Sequence, residues 1–257
     1  MKVVILAGGY GSRFNEETHS IPKPMISIGQ MPILWHLMKI YSHYGFNDFI
    51  ICCGYKGEVI KDFFLKYHLR SSDFSIQLHN NEIIVHKKFT EEWNVTLIDT
   101  GLNTMTGGRL KRIKEYLKDE ENFFMTYGDG LGDVNIRNLL EFHKMHGKDA
   151  TLTSTLPPGR FGALRIENNQ ITSFTEKPIG DGTRVNGGFF VLKPSVLDLI
   201  NNDSTIWERE PLESLSGNNQ LMAYAHDGFW QPMDTLKDKN TLNDLWVNGN
   251  RPWAVWE

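Results

Sequence analysis

The chain has 257 residues, of which 40% are apolar and 23% charged, with a formal net charge of −4. That composition can bury a large core. It sets up no global basic field, which excludes nucleic acid as an expected partner and leaves any anionic ligand to local charge. No apolar run approaches the ~18 residues of a membrane span. Met1-Lys2 leads straight into an apolar stretch with no secretory n- or h-region, so the expected compartment is cytoplasmic and no membrane partner is expected. Cys52 and Cys53 are neighbours that would face opposite sides of a strand. They read as two small buried thiols, which suits a reducing compartment.

In chain order, Val3-Val4-Ile5-Leu6 is a short buried-type strand that runs into Ala7-Gly8-Gly9-Tyr10-Gly11-Ser12-Arg13. Pro32 to Tyr44 reads as a helix with Ile33, Leu34, Leu37, Ile40 and Tyr41 on one stripe, stopped by Gly45. Asp48 to Cys53 reads as a strand and Glu58 to Tyr67 as a helix. Residues 70–100 depart from this rhythm as an excursion from the sheet, with β-like pieces at Ile83–Val85 and Val95–Ile98. Thr106 to Leu117 is a predicted helix, Phe123 to Tyr127 a strand, Leu139 to His146 a helix and Ala150 to Thr155 a strand. Further strands are expected at Ala163–Ile166, Ile171–Phe174 and Gly188–Leu192, with Asn168-Asn169 turning between the first two. A helical, aromatic tail follows from Thr235 to Trp256. Alternation of apolar strands with helices predicts an α/β protein with a largely parallel sheet covered on both faces, as one domain over 1–257.

The glycine loop is the first place for chemistry. Three glycines let the backbone turn sharply and approach a ligand, so that its N–H groups cradle phosphate oxygens. Arg13 and Lys23 bring positive charge, and Pro22 and Pro24 restrict the backbone around Lys23. Gly9-Tyr10-Gly11-Ser12-Arg13-Phe14 fails the dinucleotide fingerprint at its last position, and no segment supplies a Walker A loop. Asp129, flanked by Gly128 and Gly130 at the end of an apolar strand, sits where open α/β sheets place ligands. A hard cation there needs a second carboxylate, for which Asp234 after the Trp230–Met233 turn is the candidate. Asp234-Thr235 before a helix is also an N-cap signature, and Asp133 is a weaker alternative for that carboxylate that reads rather as a turn residue. Glu176-Lys177 reads either as a surface pair or as a hydroxyl and phosphate site. Asn186-Gly187 reads either as a hairpin turn or as part of that site, and spacing does not choose. Thr104-Met105-Thr106-Gly107-Gly108-Arg109 puts glycines and a guanidinium at a helix start, able to meet a base edge or an anion.

Taken together these stretches, with Ile51–Gly57, Pro157–Leu164 and Gly228–Thr235, resemble the sugar-phosphate nucleotidyltransferases from end to end, and most closely their cytidylyl branch. The resemblance implies a Rossmann-like nucleotidyltransferase fold: a mixed, mostly parallel central sheet flanked by helices, with a small β excursion and a C-terminal helical segment. It implies transfer of the cytidylyl group of CTP to a sugar 1-phosphate, glucose 1-phosphate, with Mg²⁺ as cofactor. Leu6, Ala7, Gly8, Gly9, Tyr10, Gly11, Ser12 and Arg13 would hold the nucleotide, with Lys23 on the phosphates. Thr104 and Arg109 would contact the cytosine, and Gly128 would pack against the nucleotide. Asp129 and Asp234 would hold the metal, and Glu176, Lys177, Asn186 and Gly187 the sugar phosphate. Arg13, Lys23, Asp129 and Lys177 would be the catalytic set. A homo-oligomer, a hexamer, is implied as well, with the 70–100 excursion and the aromatic tail as contact surfaces. The chain departs from the family pattern at Tyr10 and Ser12, where Leu and Thr are usual, and at Gly29-Gln30-Met31. Other readings left open are a different phosphorylated acceptor, UTP as donor, and a regulator that binds a nucleotide without turning it over.

Overall fold

A computed structural model describes residues 1–11, 18–88, 90–157, 163–167, 170–175 and 183–257. In chain order the strands and helices begin with β1 (Val3–Leu6), the small hairpin β2 (Ser27–Ile28) and β3 (Met31–Pro32), and α1 (Ile33–His43). Next come β4 (Asp48–Cys53), α2 (Gly57–Arg70), β5 (Ser72–Gln77), β6 (Glu82–Lys88), β7 (Asn94–Asp99) and α3 (Thr106–Arg112). The middle holds β8 (Phe123–Tyr127), β9 (Gly130–Gly132), α4 (Ile136–His146), β10 (Ala150–Thr155), β11 (Ala163–Glu167) and β12 (Gln170–Thr175). The last elements are β13 (Val185–Asn186), β14 (Phe190–Leu192), α5 (Glu210–Gly217), β15 (Leu221–His226), β16 (Trp230–Pro232) and α6 (Leu236–Val247).

β1 is buried along its length because it is paired in parallel on both sides, with β4 and β8. Its side chains alternate between two apolar clusters, Val3 and Ile5 on one face, Val4 and Leu6 on the other. β4 does the same, so Cys53 and Cys52 belong to opposite faces and both are free thiols. The central sheet runs β15, β10, β14 with β13, β8, β1, β4, β7. Its strands share one direction except β13 and β14, which are antiparallel to β10, and β14 also to β8. The expected mixed, mostly parallel sheet is therefore present, with helices packed on it. No helix among the described residues is long and apolar enough to cross a membrane.

Several local expectations shift. Val95–Ile98 is not part of an excursion: it lies in β7, the parallel partner of β4 at the sheet edge, from Asp48↔Asn94 to Cys53↔Asp99. Within 70–100, among the described residues, β5 and β6 lie off the central sheet, as an antiparallel hairpin with Phe74, Ile76, Leu78, Ile83 and Ile84 exposed. The helix expected through Leu117 ends at Arg112, where Ile113 N–H bonds Leu110 one residue short of the α pattern, and a 3₁₀ turn follows over Lys114–Leu117. α4 starts three residues early because the Asn135 side chain caps it, accepting from Asn138 N–H at 3.0 Å. The Asn168-Asn169 turn lies outside the described residues.

The aromatic tail packs into the chain's own core. Helix α6 stops at Val247, and beyond it Trp253 is fully buried beside His36 on α1. His36 Nε2 donates to Ile28 O at 2.9 Å, which leaves Nδ1 to accept from Trp253 Nε1 at 3.4 Å. Burial holds this imidazole neutral, its pKa lowered to about 4. Gly29 takes a positive φ under the Trp246 ring, where a Cβ would sit 2.2 Å from Nε1. Asn243 Oδ1 accepts from its N–H at 2.8 Å. Tail, hairpin β2–β3 and α1 thus form one packed unit next to Lys23.

Candidate active site

A cleft of about 850 Å³ opens at the carboxyl ends of β1 and β8, the place where a doubly wound sheet offers ligands backbone and loop residues. Its floor is Leu6 to Gly11 and Tyr127 to Asp129. Gly128 is closely packed: a Cβ there would lie 3.0 Å from both Leu6 O and Pro24 Cγ. Gly9 faces open space, and Gly11 has φ +63°, a left-handed backbone that other residues rarely adopt.

Lys23 is the electrostatic centre of the cleft. Its 3₁₀ turn, Lys23–Met25, follows Pro22 and contains Pro24, the two prolines expected to restrict the backbone here, and Lys23 is only 7% exposed. Nζ donates to Asp129 Oδ2 at 2.7 Å and to Asp234 Oδ1 at 2.8 Å. Burial disfavours the ammonium, but the two carboxylates outweigh it and hold its pKa above the usual lysine value. A short ribbon makes this meeting possible. β9 follows Asp129 and pairs antiparallel with β16, and Met233 N–H continues the ladder to Asp129 O at 2.8 Å. Asp234 is thereby carried across from Asp129. It does not cap α6. Thr235 does, accepting from Asp238 N–H at 3.2 Å while Asp238 Oδ2 accepts from Thr235 N–H at 2.9 Å. Two carboxylates that reach one nitrogen are close enough to share a cation. This donor set fits a hard divalent ion, which takes one or two carboxylates and completes its shell with water and phosphate oxygens. Asp133 does not bond Lys23; its Oδ1 lies 3.0 Å from His226 Nε2.

At the other end, Arg109 ties two loops to the end of β4. Nη1 donates to Cys53 O, Thr100 Oγ1 and Gly101 O at 3.1, 2.7 and 2.8 Å, and Nη2 to Gly8 O at 2.8 Å and Leu102 O at 3.4 Å. A Cβ on Gly8 would fall 2.2 Å from Nη1, and one on Gly54 2.4 Å from it. Those two glycines make room for the guanidinium. Arg109 therefore borders the cleft with both terminal nitrogens committed to the protein, and a cytosine contact from either requires giving up one of these acceptors. Gly107 and Gly108 do not open onto a ligand; their missing side chains admit Thr205 O and Asp203 O. Thr104 is buried on the cleft wall. Tyr10 spans the cleft mouth, its hydroxyl donating to Asn103 Oδ1 at 2.8 Å and its ring 5.2 Å from that of Tyr55.

Asn186 and Gly187 do not form a hairpin turn. They lie where β13 passes into β14 through a bulge at Gly187–Phe189 opposite Thr153, with positive φ at Gly188 and Phe189. Asn186 lines the cleft, its Nδ2 donating to Tyr127 Oη at 3.3 Å, and Gly187 O accepts from Trp230 Nε1 at 2.9 Å. Ser12, Arg13, Glu176 and Lys177 lie outside the described residues. The structure adds cleft residues that sequence reasoning passes over: Asn103, Tyr127, Glu208 and Trp230. Tyr127 and Trp230 stand beside residues already singled out; Glu208, within Trp207-Glu208-Arg209-Glu210, looks like surface charge.

The chain belongs to the nucleotidyl transferase family, whose profile it matches over residues 2–231. It is 60% identical over 257 residues to glucose-1-phosphate cytidylyltransferase of Salmonella typhi, covering 100% of both chains. It is 31% identical to mannose-1-phosphate guanyltransferase of Candida albicans, covering 93% of this chain and 62% of that one. Among solved structures, HddC from Yersinia pseudotuberculosis superposes with a TM-score of 0.71 at 22% identity, over 95% of this chain and 99% of the other. That last likeness speaks for the fold.

Proposed function

We propose that the protein transfers the cytidylyl group of CTP to α-D-glucose 1-phosphate, giving CDP-glucose and pyrophosphate. The observation that carries the reading is Lys23 held between Asp129 and Asp234 at the phosphate end of the cleft. The full-length 60% identity to a glucose-1-phosphate cytidylyltransferase supports the choice of base and acceptor. A phosphate oxygen of the sugar attacks the α-phosphorus in line; the new O–P bond forms as the bond to the β-phosphate oxygen breaks, and pyrophosphate leaves. The attacking oxygen is already anionic, so no strong general base is needed, and catalysis comes from positioning and charge neutralisation. Lys23 and Arg13 neutralise the departing pyrophosphate, and Lys177 aligns the attacking phosphate. Glu176, Asn186 and Gly187 hold the sugar. Asp129 and Asp234 would hold Mg²⁺, which would supply Lewis-acid charge to the transfer.

Gly8, Gly9, Gly11 and Ser12 cradle the phosphates, and the Thr104 and Arg109 wall receives the cytosine. Loops locked by Arg109 offer backbone acceptors for the exocyclic amine, which uracil lacks. A site built on such a hydrogen bond rejects a mismatch strongly, because buried groups are left unpaired. Pyrophosphate release from CTP, Mg²⁺ and glucose 1-phosphate is expected to exceed that from UTP by at least about 100-fold in kcat/KM. Equal use of both nucleotides would defeat the base assignment, and tight CTP binding without release would indicate a regulator.

The exposed apolar residues of β5 and β6 support a homo-oligomer, with a second copy covering this hairpin. Sedimentation velocity should give a mass several times that of one chain; a monomer at assay concentration would remove the assembly.

A further inference from the structure

Glu208 is a carboxylate on the wall of the cleft to which the proposed function assigns two polyanions. There it weakens phosphate binding, so its presence calls for another ligand chemistry. Among the described residues no lysine, arginine or histidine forms an ion pair with it. Its partners are hydroxyls: Tyr127 Oη donates to Oε1 at 2.6 Å and Thr106 Oγ1 to Oε2 at 2.6 Å. Both donors are themselves fixed. Thr106 Oγ1 accepts from Trp207 N–H at 2.9 Å, which directs its own proton to Glu208. Tyr127 Oη likewise accepts from Asn186 Nδ2 at 3.3 Å, which directs its own proton to Glu208.

An ionised carboxylate has about four lone-pair positions, and two are taken. Anchored from the end of β8 on one side and the start of α3 on the other, the group keeps its remaining acceptor capacity in one orientation. Glu208 is therefore joined by two hydrogen bonds, through Tyr127, to Asn186, a residue of the proposed acceptor end.

We propose that Glu208 is a specificity-determining residue for the acceptor, accepting hydrogen bonds from hydroxyls of the sugar; this rests on a sugar phosphate being the acceptor. A fixed acceptor-only group suits a ligand rich in O–H donors and discriminates against one that lacks the right hydroxyl.

The test is steady-state kinetics of the wild-type chain, Glu208→Gln and Glu208→Asp, with glucose 1-phosphate and its monodeoxy analogues, alongside thermal melts. Wild type should disfavour at least one deoxy analogue by about tenfold or more in kcat/KM. Glu208→Gln keeps the side chain's size but exchanges an acceptor for a donor. It should raise KM for glucose 1-phosphate about tenfold, leave KM for CTP within about twofold, and erase the discrimination against that analogue. Glu208→Asp keeps the charge but withdraws it, and should lose the same discrimination. Unchanged discrimination against every analogue in both variants would overturn the proposal. So would KM values for CTP and sugar phosphate that rise together with a lowered melting temperature, which marks a strut. Wild-type inactivity towards every sugar phosphate would instead overturn the acceptor reading, and the proposal with it.

Discussion

Lys23→Ala is expected to lower kcat/KM for pyrophosphate release by about 10²–10³, the loss of ~3–4 kcal/mol of transition-state stabilisation. Two effects act together. The departing pyrophosphate loses a cation set by Pro22 and Pro24, and Asp129 and Asp234 lose the ammonium that each bonds within 2.8 Å. Two carboxylates facing each other without it repel, which favours protonation of one or separation of both. Asp129→Asn, which removes charge from the same pair, should show a loss of the same order. Circular dichroism should show the fold unchanged, since the turn at Lys23–Met25 is fixed by main-chain bonds from Met25 and Ile26. Turnover near the wild-type rate in a folded Lys23→Ala variant would remove Lys23 from catalysis.

The second large effect is expected at Arg109, acting on both stability and nucleotide binding. A lysine in its place offers one point of donation where the guanidinium offers a fork. Arg109 meets Gly8 O, Cys53 O, Thr100 Oγ1 and Gly101 O, which belong to two loops and the end of β4. Gly8 and Cys53 carbonyls also accept from Tyr55 N–H and Thr100 N–H, so they are not orphaned by the change. Leaving the rest of this buried cluster underbonded should cost about 2 kcal/mol, or roughly 4–8 °C in Tm for a domain of this size. Because the loops it joins line the nucleotide end, KM for CTP should rise about tenfold or more while KM for glucose 1-phosphate changes less. An unchanged melting temperature with an unchanged KM for CTP in Arg109→Lys would mean that the loops stand without this tie.

These two residues also show how far the sequence could be read. Lys23 was legible because its constraint is local: two prolines fix the backbone of the residue between them. Asp129 was legible because an aspartate between glycines at the end of a buried strand has few other uses. Asp234 was named as the partner of Asp129, but the means by which they meet was not legible, since it is β9 and β16, a ribbon of three residues per strand too short for any periodicity to reveal. Arg109 was found as a site residue through its glycines, but Gly107 and Gly108 make room for Thr205 and Asp203, and the glycines that admit the guanidinium are the distant Gly8 and Gly54. The sheet was read well where strands are continuously apolar, as in β1, β4 and β8. It was misread at β7, an edge strand whose middle residues, Val95 to Ile98, are only half-buried. Glu208 escaped notice because a carboxylate among charged neighbours looks solvated until Tyr127 and Thr106 are seen to hold it.

The central claim is that this cleft moves the α-phosphate of CTP onto a sugar phosphate. The direct measurement is label transfer with Mg²⁺, glucose 1-phosphate and CTP labelled at either the α- or the γ-phosphorus. The account predicts α-label in a sugar nucleotide and γ-label in pyrophosphate, in equal amounts, with both lost together in Lys23→Ala. Release of γ-label as inorganic phosphate, or α-label that stays in free nucleotide while pyrophosphate accumulates, would contradict it.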